Sequence, residues 1–290
     1  MRVAIVGLGG VGGYLAAMFA KAGVNVVGFA RGKHLEAIQK NGITVKEDAK
    51  EWTTPLNAME LNAAQGYFDV VIFCTKSYDL LDAYEKIAQH TDKNSLLLSF
   101  SNGVGNAKVL QSVANAVVLE GCVYILSHIE KPGVIRKKGK VFAAVFGGDN
   151  AEAVQKLAQL FEKAGLRYKT PKDIATAVWK KYIFIAAFAT LTSYYDASIG
   201  EIYEKHYDEA KALLEEIALY AKEHEGVDIA DEVQKALETA KNVPYDSSTS
   251  MHLDFQNGHK TELESLSGYV KMPLMQKYYT TLKEREGLKV

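Results

Sequence analysis

The sequence predicts an α/β protein whose first part is a mostly parallel sheet with helices and whose second part is all helical. Three observations predict it. Short apolar runs recur through the first part at the spacing of β–α units. After Thr170-Pro171 the periodicity becomes almost purely helical. No repeat or low-complexity linker separates the two patterns, so the boundary falls near residue 170, giving domains at 1–170 and 171–290.

The elements follow in order. Arg2–Val6 is a short apolar strand, glycines follow it, and a helical pattern runs through 15–21 to a C-terminal Gly23. Strands are expected at 24–29, 70–74, 95–100 and 117–120. The stretch 122–146 reads as antiparallel strands with turns at Pro132-Gly133 and Lys138-Gly139. An amphipathic helix over 151–164 stops at Gly165. Helices are then expected at roughly 174–195, 202–224, 229–241 and 262–283, with loops at 244–250 and at Asn257-Gly258. The most apolar stretch, 182–191, is too short to span a bilayer and reads as a buried helix.

Bulk properties narrow the function. The chain has 290 residues, 48% hydrophobic and 24% charged, with a formal net charge of -1. That is ordinary globular composition with no basic excess, so neither a nucleic acid nor a membrane is an expected partner. No charged n-region and cleavage site open the chain, so a cytoplasmic protein is expected. The two cysteines, Cys74 and Cys122, read as reduced thiols in that setting.

Gly7-Leu8-Gly9-Gly10-Val11-Gly12 matches G-x-G-x-x-G after a strand and before a helix. Gly7 suits the tight turn, Gly9 the close approach of a pyrophosphate, and Gly12 the packing of helix on strand. The phosphates would sit on a helix N-terminus, where unpaired N–H groups and the dipole favour negative charge. The first part is therefore expected to be a Rossmann dinucleotide-binding domain. The end of its second strand reads Gly28-Phe29-Ala30-Arg31-Gly32-Lys33, with no acid before Glu36. A ribose-binding acid is missing there, and Arg31 with Lys33 suits a 2′-phosphate, so NADP(H) is expected over NAD. Lys76 and Asn102 follow the next two strands and point to the same crevice. In the helical half, Lys181 in Trp179-Lys180-Lys181 opens an apolar helix, while Ser250 and Glu262 stand near later helix starts. His252, Asp254 and His259 accompany them, and a lone His or Glu in such a region is ordinarily a surface residue. No H-E-x-x-H or G-x-S-x-G pattern occurs.

Taken in order, Gly7-x-Gly9-x-x-Gly12, Arg31, Thr75-Lys76, Ser101-Asn102-Gly103, Trp179-Lys180-Lys181, Ser250-Met251 and Glu262 resemble the ketopantoate reductase (2-dehydropantoate 2-reductase) family over nearly the whole chain. The resemblance implies NADPH-dependent reduction of a 2-oxo acid, ketopantoate to pantoate, in pantothenate and coenzyme A biosynthesis. It implies Lys181 as the proton donor and Glu262 as the carboxylate that binds the substrate hydroxyl. Ser250 would contact the substrate, Asn102 would stand near the nicotinamide and Lys181, and Lys76 would lie at the floor of the cofactor site. The chain departs from the family at Ile185 and Ala189, where asparagines are expected one and two turns after Lys181, and in a shortened segment before Pro273. Spacing by four puts Lys181, Ile185 and Ala189 on one helix face, so Ile185 is expected to line the substrate site, with Ala189 further along. Two other readings share the scaffold: a reductase of another branched 2-oxo acid, and a non-catalytic NADPH-binding sensor. The expected partners are a small 2-oxo acid and, at most, a second copy of the chain in a homodimer.

Overall fold

The computed structural model describes residues 1–48 and 50–288. It divides into two compact units. One holds Met1–Ser101 and Gly105–Ile174; the other holds Asn102–Val104 and the chain from Ala175 onward.

The first unit opens with β1 (Arg2–Val6), α1 (Gly10–Lys21), β2 (Asn25–Phe29), α2 (Gly32–Asn41), β3 (Ile43–Glu47), β4 (Lys50–Thr54) and β5 (Asn57–Met59). It continues with β6 (Val70–Phe73), α3 (Leu80–Ile87), β7 (Leu96–Ser99), α4 (Asn106–Val113), β8 (Val117–Lys131), β9 (Val134–Gly147), α5 (Ala151–Lys163) and β10 (Tyr168–Lys169). All ten strands form one sheet in the order β4-β3-β9-β8-β7-β6-β1-β2-β5, with β10 beside β9. Within it, β5-β2-β1-β6-β7-β8 is a parallel run with the 3-2-1-4-5-6 order of the doubly wound fold. β1 and β6 are buried along nearly their whole length, as strands covered on both faces must be. Phe19, Phe100, Phe146 and Phe161 pack edge-on and tilted in the core beneath α1 and α5.

Several sequence expectations change here. α2 and β3–β5 fill the interval 32–59, where the sequence pattern shows no element. The runs 117–120 and 122–129 are one 15-residue strand, β8, parallel to β7 at its start and antiparallel to β9 beyond. Pro132-Gly133 is the hairpin turn, as expected, but Lys138-Gly139 does not reverse the chain. Gly139 (φ +66) instead sits in a bulge where Ile125 pairs with Phe142 and Leu126 with Lys138. Cys74 and Cys122 are free thiols; Cys122 is buried and Cys74 half-buried.

The second unit takes α6 (Ile174–Tyr195) from its second residue onward, then α7 (Ile199–Lys205), α8 (Tyr207–Glu225), α9 (Glu232–Asn242), α10 (Ser250–Gln256), α11 (Leu263–Leu266) and α12 (Pro273–Gly287). α6 has 22 residues, longer than its apolar centre suggests, and is long and apolar enough to cross a membrane by length and composition. Twelve of those residues, from Val178 to Ser193, are buried in the structure, which makes it the core helix of this unit. The helix expected at 202–224 breaks at His206, and the one expected at 262–283 breaks between Leu266 and Pro273. Pro273 opens α12 at a position where its missing N–H costs nothing. The Glu216 carboxylate accepts the Leu274 and Met275 N–H groups at 2.9 and 2.7 Å, closing that helix start with the charge its dipole favours.

Candidate functional site

In the sheet unit a cavity of about 400 Å³ opens at the carboxyl ends of β1, β2 and β6. Gly7, Leu8 and Gly9 form one wall. The Gly7 and Leu8 N–H groups both donate to the Phe29 carbonyl, at 3.1 and 3.2 Å, which ties the turn to the end of β2. Gly7 sits at φ +93, a conformation that excludes a side chain, and a Cβ there would lie 3.0 Å from the Cys74 carbonyl. Gly9 differs from its neighbours: a Cβ on it would meet nothing within 4 Å. Nothing in the protein requires glycine at that position, and the space left open is what a close-approaching phosphate needs. Gly12 is fixed by packing, since its Cβ would fall 2.0 Å from the Gly7 carbonyl oxygen and 2.9 Å from Cys74. Gly10 serves the fold too, because its Cβ would stand 2.3 Å from the Ser127 carbonyl of β8. α1 starts without a side-chain cap, leaving its first-turn N–H groups open to an anion.

Arg31 is exposed and borders this cavity, whereas Lys33 and Lys76 do not line it. Thr75 lines it, and the Thr75 hydroxyl is buried without a hydrogen-bond partner. The open Gly9, the free N-terminus of α1 and the unpartnered hydroxyl suit a phosphate-bearing dinucleotide. Among the lining residues that the sequence pattern did not point to are His34 and Glu60. His34 accepts the Gly133 N–H at 3.0 Å through Nδ1, and burial pushes its pKa down, so a neutral ring sits on the wall. Glu60 follows the end of β5, whose three residues, Asn-Ala-Met, are too few to show a strand period.

In the helical unit, Lys181 Nζ donates to Asn102 Oδ1 at 3.2 Å. Asn102 follows β7 in the chain, yet it belongs to this unit. Its departure is prepared by Ser101, whose hydroxyl donates to the Thr75 carbonyl at 2.8 Å, and by Gly103, at φ +102. A Cβ on Gly103 would stand 3.1 Å from the Ser265 carbonyl, so the Asn102 segment lies against α11. The Tyr182 hydroxyl donates to the Leu266 carbonyl at 2.6 Å, tying α6 to α11. Lys180 points elsewhere, to Glu232 at 3.1 Å.

Glu262, at the start of α11, is 4% exposed, and His252 is also 4% exposed. Both correct the surface expectation. His252 bridges Ser248 (2.8 Å) and Asp196 (2.7 Å) through its two ring nitrogens. Ser250 is exposed at the first position of α10, which Thr249 caps by accepting the His252 N–H. Ile185 is half-buried like Lys181, but Ala189 is 1% exposed and lies in the core, so the shared face does not extend that far.

A parallel sheet with a glycine turn at its switch point, joined to an all-helical unit carrying a paired lysine, defines a two-unit oxidoreductase. The chain belongs to the ketopantoate reductase PanE/ApbA family, whose profile matches residues 3–149 and whose C-terminal profile matches residues 173–272. A 2-dehydropantoate 2-reductase of Mesorhizobium japonicum is 29% identical, with 93% of this chain and 90% of that protein covered. The crystal structure of 2-dehydropantoate 2-reductase from Porphyromonas gingivalis W83 is 30% identical, with TM-score 0.84 and 98% and 99% of the two chains covered. The ternary structure of D-mandelate dehydrogenase with NADH and anilino(oxo)acetate has the same fold at 19% identity, with TM-score 0.89 and 100% and 99% covered.

Proposed function

We propose that this oxidoreductase reduces a 2-oxo acid to a 2-hydroxy acid with a nicotinamide dinucleotide, NADPH in preference to NADH, and that its substrate is 2-dehydropantoate, the precursor of pantoate in pantothenate and coenzyme A biosynthesis. The observation that carries the reading is the 3.2 Å pair between Lys181 and Asn102. It gives a reductase fold a positioned cation with protons to donate.

The sheet unit takes the dinucleotide, along the glycine turn at 7–12, with Arg31 on the 2′-phosphate. The helical unit takes the substrate. The dinucleotide, when bound, supplies a hydride to the 2-oxo carbon. The remaining work falls to this chain. Lys181 stabilises the negative charge that grows on the carbonyl oxygen and donates the proton that completes the hydroxyl. Asn102 accepts one Lys181 N–H and so aims the others. The buried Glu262 carboxylate accepts from a substrate hydroxyl, and Ser250 contacts the substrate from the start of α10. That D-mandelate dehydrogenase holds NADH and anilino(oxo)acetate on the same fold supports a nicotinamide dinucleotide and the substrate class, though not the preference for NADPH, which rests on Arg31.

Ile185 favours a second reading, a more apolar branched 2-oxo acid. It offers hydrocarbon one turn from Lys181 and shares that residue's partial exposure. NADPH oxidation followed against a panel of 2-oxo acids tests both. Turnover of 2-dehydropantoate supports the first, and preference for 2-oxoisovalerate the second. No oxidation with any member of the panel overturns the reductase assignment.

A further inference from the structure

We propose that Glu60 is a cofactor-specificity residue: its carboxylate receives the ribose hydroxyls of an unphosphorylated dinucleotide opposite Arg31, so that this chain takes NADH as well as NADPH. The inference rests on the dinucleotide reading above and deepens it.

Doubly wound folds that bind NAD place an acid at the end of the second strand, on the ribose hydroxyls. Here β2 ends Phe29-Ala30-Arg31, without one. The sheet supplies it from the neighbouring strand. β5 runs parallel to β2 with Val27, Gly28 and Phe29 beside Asn57, Ala58 and Met59. The Ala30 N–H then donates to the Met59 carbonyl at 3.2 Å, so the register continues one step further. That step brings Glu60 beside Ala30, at the spacing of adjacent strands, about 4.8 Å. Glu60 leaves β5 in an extended conformation (φ -71, ψ 148) before a single 3-10 turn, Leu61–Ala63, and borders the same cavity as Arg31.

The two side chains are both available. Neither Arg31 nor Glu60 forms a side-chain hydrogen bond or ion pair among the described residues. Two other carboxylates reach the cavity from the opposite wall: Asp82, held by Lys86 at 2.6 Å, and Asp79, at the N-terminus of α3. A free guanidinium and a free carboxylate beside one ribose site make opposite demands. The guanidinium rewards a 2′-phosphate. The carboxylate repels it and accepts hydrogen bonds from the 2′- and 3′-hydroxyls. Selectivity is the difference between the two affinities, so the NADPH preference that Arg31 creates is narrowed by Glu60.

Calorimetry with four probes reads this directly: 5′-AMP, adenosine 2′,5′-bisphosphate, NADH and NADPH. The fragments report the ribose site without any substrate chemistry. Glu60→Gln is expected to weaken 5′-AMP and NADH by about 10-fold or more, the loss of a hydrogen bond to a charged group, with the 2′-phosphorylated probes unchanged or tighter. Arg31→Ala is expected to do the reverse, and Asp79→Asn to leave the ratios in place. Glu60 is exposed and the Gln variant isosteric, so a native melting curve is expected to accompany the shift. Ratios in Glu60→Gln within about two-fold of wild type, or a larger shift in Asp79→Asn, would overturn the assignment while leaving Arg31 and the reductase reading intact. Failure of wild-type protein to bind all four probes would remove the dinucleotide reading, and Glu60 with it.

Discussion

Lys180 and Lys181 are adjacent, and nothing in their sequence separates them. The structure does: Lys180 is half-exposed and paired with Glu232, whereas Lys181 meets Asn102 from a different stretch of chain. An exposed ion pair contributes little beyond its immediate surroundings. Lys181→Ala is therefore expected to lower kcat by about 10²–10⁴, the usual range for general acid catalysis, with NADPH affinity by calorimetry unchanged. Lys180→Ala is expected to stay within a few-fold of wild type; equal damage in both variants would remove Lys181 as the proton donor. The residues legible from sequence are those whose chemistry is local. Gly7, Gly9 and Gly12 could be assigned distinct roles because a turn between a strand and a helix constrains each by its own geometry. Glu60, His34 and the buried state of Glu262 and His252 could not, because each depends on strand register or on a helix packed from elsewhere in the chain.

Among the elements, the strands buried on both faces were readable and the edge strands were not. β1, β6 and β7 are continuous apolar runs because helices cover both faces of that part of the sheet. β4, Lys50–Thr54, is mostly exposed and polar, and lacks both a continuous run and a clear alternation. The β8–β9 hairpin was legible at its turn but not at its bulge. A glycine with φ +66 looks the same in sequence whether it reverses a chain or accommodates an extra loop of strand. That hairpin also explains a glycine that the nucleotide motif does not require. Gly10 lies under the Ser127 carbonyl of β8, with 2.3 Å available for a Cβ. Backbone cannot yield as a flexible side chain does, so Gly10→Ala is expected to destabilise the protein by about 1–3 kcal/mol, the typical cost of overpacking. By contrast, Gly9→Ala meets no protein atom and is expected to keep its melting temperature while weakening dinucleotide binding. Thermal melts and NADPH titrations of the two variants check the contrast, and a Gly10→Ala protein as stable as wild type would show that β8 accommodates the methyl.

For the molecule as a whole, the two-part plan was visible because the hydrophobic period changes near residue 170, while the contribution of Asn102–Val104 to the helical unit was not. A three-residue excursion leaves no compositional trace; only Gly103, with its positive φ and its closeness to Ser265, marks it. On the reading proposed above, the substrate belongs to the helical unit, so substrate choice is a question about that unit's side chains. The proposed roles of Lys181, Asn102 and Glu262 would serve any 2-oxo acid that carries a hydroxyl, so discrimination among such acids would rest on what surrounds them. Ile185 supplies no hydrogen bond, and Ala189, 1% exposed, contributes to the core rather than to a ligand. Sites that hydrogen-bond a substrate hydroxyl discriminate against its absence by about 10⁴–10⁵, while apolar pockets sort neighbouring hydrocarbon groups by only about 10–200-fold. With Glu262 retained and Ile185 apolar, the ratio of kcat/KM for 2-dehydropantoate over 2-oxoisovalerate is expected to fall below about 10³, between those limits. Ile185→Asn is expected to raise that ratio, because an amide one turn from Lys181 restores a partner for a polar substrate group. A wild-type ratio above about 10⁴ would show full recognition of the hydroxyl without an amide at this position, and Ile185 would then be a packing residue rather than a determinant of substrate.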